Sequence, residues 1–173
     1  MKNLFIIPVF ILTTFFTSCD KIKDAADVDF NTTITGDIFV SINDPDNLYD
    51  DSVILSLSND DTKDYLDKIE SVEIKKLTYT LVNFTGDSAG KISGNLLADG
   101  IILHSVFDLN VANASSLVTV FEVTDPSLLN NAAAALLTNK VLFLQAKGSA
   151  VYSGSMSFIV RVKVDLKVKA NAL

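Results

Sequence analysis

The stretch Phe158-Ile159-Val160-Arg161-Val162-Lys163-Val164-Asp165-Leu166-Lys167-Val168-Lys169 carries the cleanest period in the chain. Phe158, Val160, Val162, Val164, Leu166 and Val168 share one parity, and Ile159, Arg161, Lys163, Asp165, Lys167 and Lys169 share the other. Successive side chains of a strand point to opposite faces, so the pattern predicts an antiparallel strand with one packed and one wet face. The basic row Arg161, Lys163, Lys167 and Lys169 is a candidate contact for anionic lipid headgroups or acidic glycans. Asp165 interrupts it, and the reading we favour is a solvated face that also keeps an edge from pairing.

Working back from this strand, Ser153-Gly154-Ser155 reads as a turn, and Val141 to Ala146, apolar on both parities, as a strand covered on both faces. Before it, Thr124-Asp125-Pro126 opens a helix that runs through the alanines to Leu137 and closes at Asn139, with an oxygen-bearing cap and a proline in the first turn. Leu117 to Val123 reads as a short strand. Ile101 to Val111 reads as a longer one, with Ile101, Leu103, Phe107, Leu109 and Val111 on one face. Ala98-Asp99-Gly100 is a turn after the strand Lys91 to Leu97, and Thr85 to Gly90 is another turn. Val72 to Phe84 is a long strand whose apolar parity changes near Lys75-Lys76, which predicts a bulge.

Nearer the N-terminus, Asn59-Asp60-Asp61 is expected to cap a short helix reaching about Glu70. Val53, Leu55 and Leu57 alternate with serines in a strand, and residues 43–51 form a loop rich in Asn, Asp and Pro. Phe30 to Ile42 is a strand with Gly36 marking a bulge or twist. About eight strands with one or two short helical connections predict an all-β protein. The first choice is an antiparallel β-sandwich, the second a closed or partly open barrel. The Cys, Trp and Cys marks of antibody-type domains are absent.

The first residues have a different character. Lys2 precedes an apolar run from Leu4 to Phe16, and Thr17-Ser18 lead to Cys19, the only cysteine. This segment resembles the signal of bacterial lipoproteins, with Phe16 where leucine is usual. The resemblance implies removal of residues 1–18, diacylglycerol and an acyl chain on Cys19, and a lipid-anchored place in the cell envelope, the outer membrane first. The run is shorter than the roughly 20 apolar residues that a membrane-crossing helix needs, whereas two acyl chains suffice for stable attachment. Residues 19–29, where Asp and Lys alternate, read as a flexible tether, and 30–173 as a single domain.

With Cys19 modified no thiol is left for a disulfide, so packing must hold the fold. The chain has 14 Lys+Arg against 21 Asp+Glu, a formal charge of −7, which argues against nucleic acid as a partner. Fifteen of the acids lie in residues 20–73. Among them Asp44, Asp46, Asp50 and Asp51 offer hard oxygen ligands for calcium, and Asn59, Asp60, Asp61 and Asp64 form a second group beyond the following strand. Turn chemistry and capping account for the same residues, and we favour that explanation. Zinc of the usual kind is excluded by one histidine and no free thiol.

His104 sits on the polar parity with Asp108, and Ser105 is adjacent, yet no nucleophile-elbow motif or nucleotide-binding motif occurs. The expected function is therefore a noncatalytic, membrane-anchored envelope lipoprotein that binds a protein, glycan or envelope component. The alternative is a carrier that holds a lipid or other apolar ligand inside its sandwich or barrel.

Overall fold

The computed structural model describes residues 27–43 and 47–171. In chain order these form β1 (Asp27–Asn43), β2 (Leu48–Ser56), β3 (Ile69–Gly86), β4 (Lys91–Ala98), β5 (Ile101–Asn110), α1 (Val111–Ser116), β6 (Val120–Val123), α2 (Pro126–Asn139), β7 (Val141–Val151) and β8 (Ser155–Asn171). The expected signal segment 1–18, Cys19, Asp44 and Asp46 lie outside the described residues. No helix among the described residues is long and apolar enough to cross a membrane.

The strands make two four-stranded sheets, a first in the order β1-β8-β3-β6 and a second in the order β2-β7-β4-β5. Apart from the β4–β5 hairpin, neighbouring strands are distant in sequence, and all pairings are antiparallel. Eight strands interleaved this way across two open sheets are a jelly-roll sandwich, the first of the two expected architectures. The barrel is set aside because neither sheet closes on itself.

The periodic stretch becomes β8 in the middle of the first sheet, paired with β1 in one unbroken register from Asp27↔Asn171 to Asn43↔Ser155. Its inward row from Phe158 to Val168 is buried, together with Ile38, Val40 and Ile42 of β1 and Leu77 and Leu81 of β3. Leu55, Leu142 and Leu144 of the second sheet also belong to this core, and burying a side chain of that size contributes about 1.5–3 kcal/mol. Helix α2 packs against β3 and β7 through Ala132, Ala133 and Leu136. Its start is as expected: the Asp125 carboxylate accepts from the backbone N–H of Ser127 at 2.8 Å and of Leu128 at 3.4 Å, with Pro126 in the first turn. The bulge expected near Lys75 is present as a register shift between Ile74 and Lys76.

Other expectations are corrected. The tether does not reach residue 29, because Asp27 to Asp29 already pair with β8. Gly36 marks no bulge in β1; a Cβ there would stand 2.3 Å from Leu55 Cδ2, so the glycine lets the two sheets approach. Residues 48–51 belong to β2 rather than to a loop. The helix expected after Asn59 is a series of turns ending in a 3-10 turn at Leu66–Lys68. Side-chain bonds hold the chain there: Asn59 Oδ1 accepts from the N–H of Asp61 and Thr62, and the Thr62 hydroxyl donates to the Leu57 carbonyl.

Val111 begins α1, capped by Asn110, and the strand expected from Leu117 starts only at Val120. β7 is covered on one face, leaving Val141 and Phe143 partly in solvent. β8 is not an edge strand, so protection of an edge is not the reason for its basic row.

Candidate functional site

The outer face of the first sheet is a lattice of opposite charges. Arg161 donates through Nε and Nη2 to the two carboxylate oxygens of Asp37, its register partner on β1, at 2.9 and 2.8 Å. Lys167 meets Asp29 at 2.9 Å, Lys169 meets Asp27 at 2.6 Å, and Lys163 meets Asp165 of its own strand at 3.1 Å. Asp165 also accepts from the Thr33 hydroxyl at 2.7 Å. Hydrogen bonds from Lys167, Arg161 and Thr33 hold the carboxyls of Asp29, Asp37 and Asp165, respectively, below the usual range. The four bases proposed to meet an anionic surface thus already have acidic partners, most of them on β1.

The proposed calcium ligands are not brought together among the described residues. Asp50 and Asp51 are consecutive in β2 and face opposite sides of it. Asp50 accepts from Lys147 Nζ at 2.9 Å and from the Gln145 amide, and these bonds lower its pKa. Asp51 is on the inner side, where burial and then the neighbouring Asp50 raise its pKa. In the second group, the Thr32 hydroxyl donates to Asp61 at 2.7 Å and Asp60 meets Lys63 at 3.1 Å. No group of three or more metal-binding side chains occurs among the described residues.

Nor do Ser105, His104 and Asp108 form a hydrolytic set. His104 Nδ1 is 2.8 Å from the Tyr79 hydroxyl, whose ring stacks on Phe121 with centroids 4.8 Å apart. Ser105 donates to Asn95 Oδ1 at 2.6 Å, and Asp108 accepts from Lys91 Nζ at 2.6 Å. His104 is half-buried rather than a surface residue, and bridges β5 of the second sheet to β3 of the first. Burial raises the Tyr79 hydroxyl pKa and pushes that of Tyr49 up to about 12.

The outer face of the second sheet differs in kind. A trough of about 590 Å³ crosses all four strands and is lined by Leu48, Ser93, Asn95, Ser105, Phe107, Lys147 and Ser149 with the backbone of Gly94 and Gly148. Phe107 is 89% exposed and Leu48 73%. Between them lie hydroxyls and an amide, and the lining's one ionic side chain, Lys147, is paired with Asp50. Beneath the trough, Gly94 and Gly148 face each other across β4 and β7, and a Cβ on either would stand 2.2–2.6 Å from the Tyr49 hydroxyl. The inner gap bordered by Tyr49, Gly94 and Phe158 is only about 30 Å³.

Phe107 reaches this surface because β5 carries two bulges. Register shifts between Leu96 and Leu97, and between Ile92 and Gly94 on β4, each insert an extra β5 residue. Each insertion flips the parity, so Leu103 and then His104 and Val106 turn inward while Phe107 is left outside. The signal was available in the pairs Ile101-Ile102 and Val106-Phe107: consecutive residues of a regular strand cannot both face the core.

No family model matches the chain, and no curated protein does. Among solved structures, a chain from Desmodium yellow mottle tymovirus aligns with 100% of this chain and 93% of its own length, at 13% identity and a TM-score of 0.39.

Proposed function

We propose that this protein is a noncatalytic lipoprotein of the bacterial cell envelope, anchored through diacylglycerol and acyl chains on Cys19, which engages its partner through the outer face of the second sheet. The observation that carries the choice of face is the contrast between the two sheets: beside its exposed Phe39 the first carries a row of ion pairs, whereas the second sets Phe107 and Leu48 around a trough of hydroxyls and an amide. From Asp27, the first described residue, β1 runs about 55 Å before Leu48 begins β2, so the trough lies in the half of the sandwich away from Asp27. An anchor on Cys19, only eight positions before Asp27, would leave that half open to a partner.

The carrier alternative has less support. A pocket for a small-molecule ligand usually measures about 300–1,000 Å³, and the gap between the sheets is about 30 Å³. Intact mass and membrane fractionation test the anchor. Wild type should be recovered from membranes without residues 1–18 and with diacylglycerol and acyl mass on Cys19, and Cys19→Ala should lose that mass. Wild type with an intact leader and an unmodified thiol would overturn the proposal.

A further inference from the structure

We infer that the trough on the second sheet binds a neutral oligosaccharide. The inference rests on the reading of this face as the contact surface and adds the class of ligand. The lining offers little charge to an ionic ligand: its single ionic side chain, Lys147, is paired with Asp50 at 2.9 Å, and nearby Asp108 with Lys91 at 2.6 Å. No unpaired charge of the lining is left to attract a phosphate, a carboxylate or an ammonium group. What remains is a set of short neutral donors and acceptors, Ser93, Asn95, Ser105 and Ser149, beside one aromatic ring.

A sugar ring has the matching surface, with C–H groups on one face and hydroxyls around the rim. Stacked on the Phe107 ring, it would bury apolar area without placing hydroxyls in an apolar pocket. Asn95 spends its carbonyl oxygen on Ser105, which leaves its amide N–H groups as donors to a sugar oxygen. Ser93 Oγ accepts the backbone N–H of Asp108 at 3.0 Å, which orients the hydroxyl as a donor. Four strands about 4.8 Å apart give the trough a width of about 14 Å, room for several linked rings rather than one. A volume of about 590 Å³ suits such a ligand, and the hydrogen-bonded sheet beneath provides a pre-formed floor.

The test is isothermal titration of the full-length lipidated protein in a non-glycosidic detergent with cellopentaose, maltopentaose, chitopentaose and mannopentaose, and with an oligogalacturonate as the charged control. At least one neutral pentasaccharide should bind, and Phe107→Ala should weaken it by at least about tenfold with an unchanged melting midpoint, because the ring is 89% exposed. Asn95→Ala should also weaken it, and Phe39→Ala on the other sheet should not. Absence of binding by every neutral probe, tighter binding of the charged control, or indifference to Phe107→Ala would overturn the inference. Photocrosslinking in cells from p-benzoylphenylalanine at position 107 separates the two proposals. Polypeptide adducts with blank titrations would reject the sugar and leave the contact face standing; adducts from position 39 but not from position 107 would reject the face itself.

Discussion

The two outer faces of the sandwich are built from the same strand geometry and do different things with it. On the first sheet, alternate positions of β8 carry Arg161, Lys163, Asp165, Lys167 and Lys169, and those of β1 carry Asp29 and Asp37 in reach of them. The face is electrically satisfied by its own side chains. On the second sheet the alternate positions carry Ser93, Asn95, Ser149 and Phe107, whose hydrogen-bonding and apolar capacity is only partly used within the sheet. A strand pattern thus specifies which face is wet, and the chemistry of the wet residues decides whether the protein or a partner completes them.

The largest break in this comparison should come from beneath the second face. Gly94→Ala puts a methyl 2.2 Å from the Tyr49 hydroxyl and 2.6 Å from the Lys147 carbonyl oxygen, the second being backbone that cannot turn away. Overpacking of this kind costs about 2–3 kcal/mol, so the melting midpoint should fall by roughly 5–10 °C. The first sheet, with its unbroken β1–β8 register, should keep its slow amide exchange longest as the variant opens. A midpoint equal to wild type would show that the second sheet is not held by this close approach.

Acid separates the outer lattice of the first sheet from the inward Asp51 of the second by sign. Asp29, Asp37 and Asp165 have lowered pKa values, so the stability they add is present above their unfolded value of about 3.9 and is lost as pH falls through the folded values. Asp51 has a raised pKa, so its favourable contribution exists below the unfolded value and is lost as pH rises through the folded one. Asp51→Asn should therefore raise the melting midpoint at pH 7, by an amount that vanishes on acidification. Asp37→Asn should lower it at pH 7, with the difference fading below about pH 4. Melts across pH check both, and equal signs would contradict the assignment.

The smallest effect should be the loss of Arg161, whose bidentate pair with Asp37 is exposed and screened by salt. Arg161→Ala should shift the midpoint far less than Gly94→Ala, and less still in high salt. A shift as large as that of the glycine variant would mean that the lattice holds the fold, rather than merely closing its surface.

How much of this was legible in the sequence depended on local regularity. The unbroken alternation from Phe158 to Lys169 gave β8 and its inner face, Thr124-Asp125-Pro126 gave the start of α2, and the parity change at Lys75 gave the bulge in β3. What failed needed a neighbour to be seen. The opposite signs of Asp37 and Arg161 are 124 positions apart in the chain, and only the β1–β8 register joins them. Phe107 shares its parity with Leu103 and Leu109 in the sequence and leaves their face because the two bulges of β5 are set by pairing with β4, although the adjacent Val106 already requires one of the two to leave the core. Gly36 read as an irregularity and proved to be a clearance for Leu55 on the opposite sheet. The trough had no signature, since serines spaced across three strands converge only once those strands are paired.

Hydroxyl-radical footprinting of the protein in intact cell envelopes, compared with the purified lipidated protein, tests the division of labour between the faces most directly. Phe107 and Phe39 are reporters on opposite sheets, 89% and 68% exposed. Oxidation of Phe107 should be suppressed in the envelope while that of Phe39 is the same in both states. Suppression at Phe39 with Phe107 unchanged, or equal oxidation of both in both states, would contradict it.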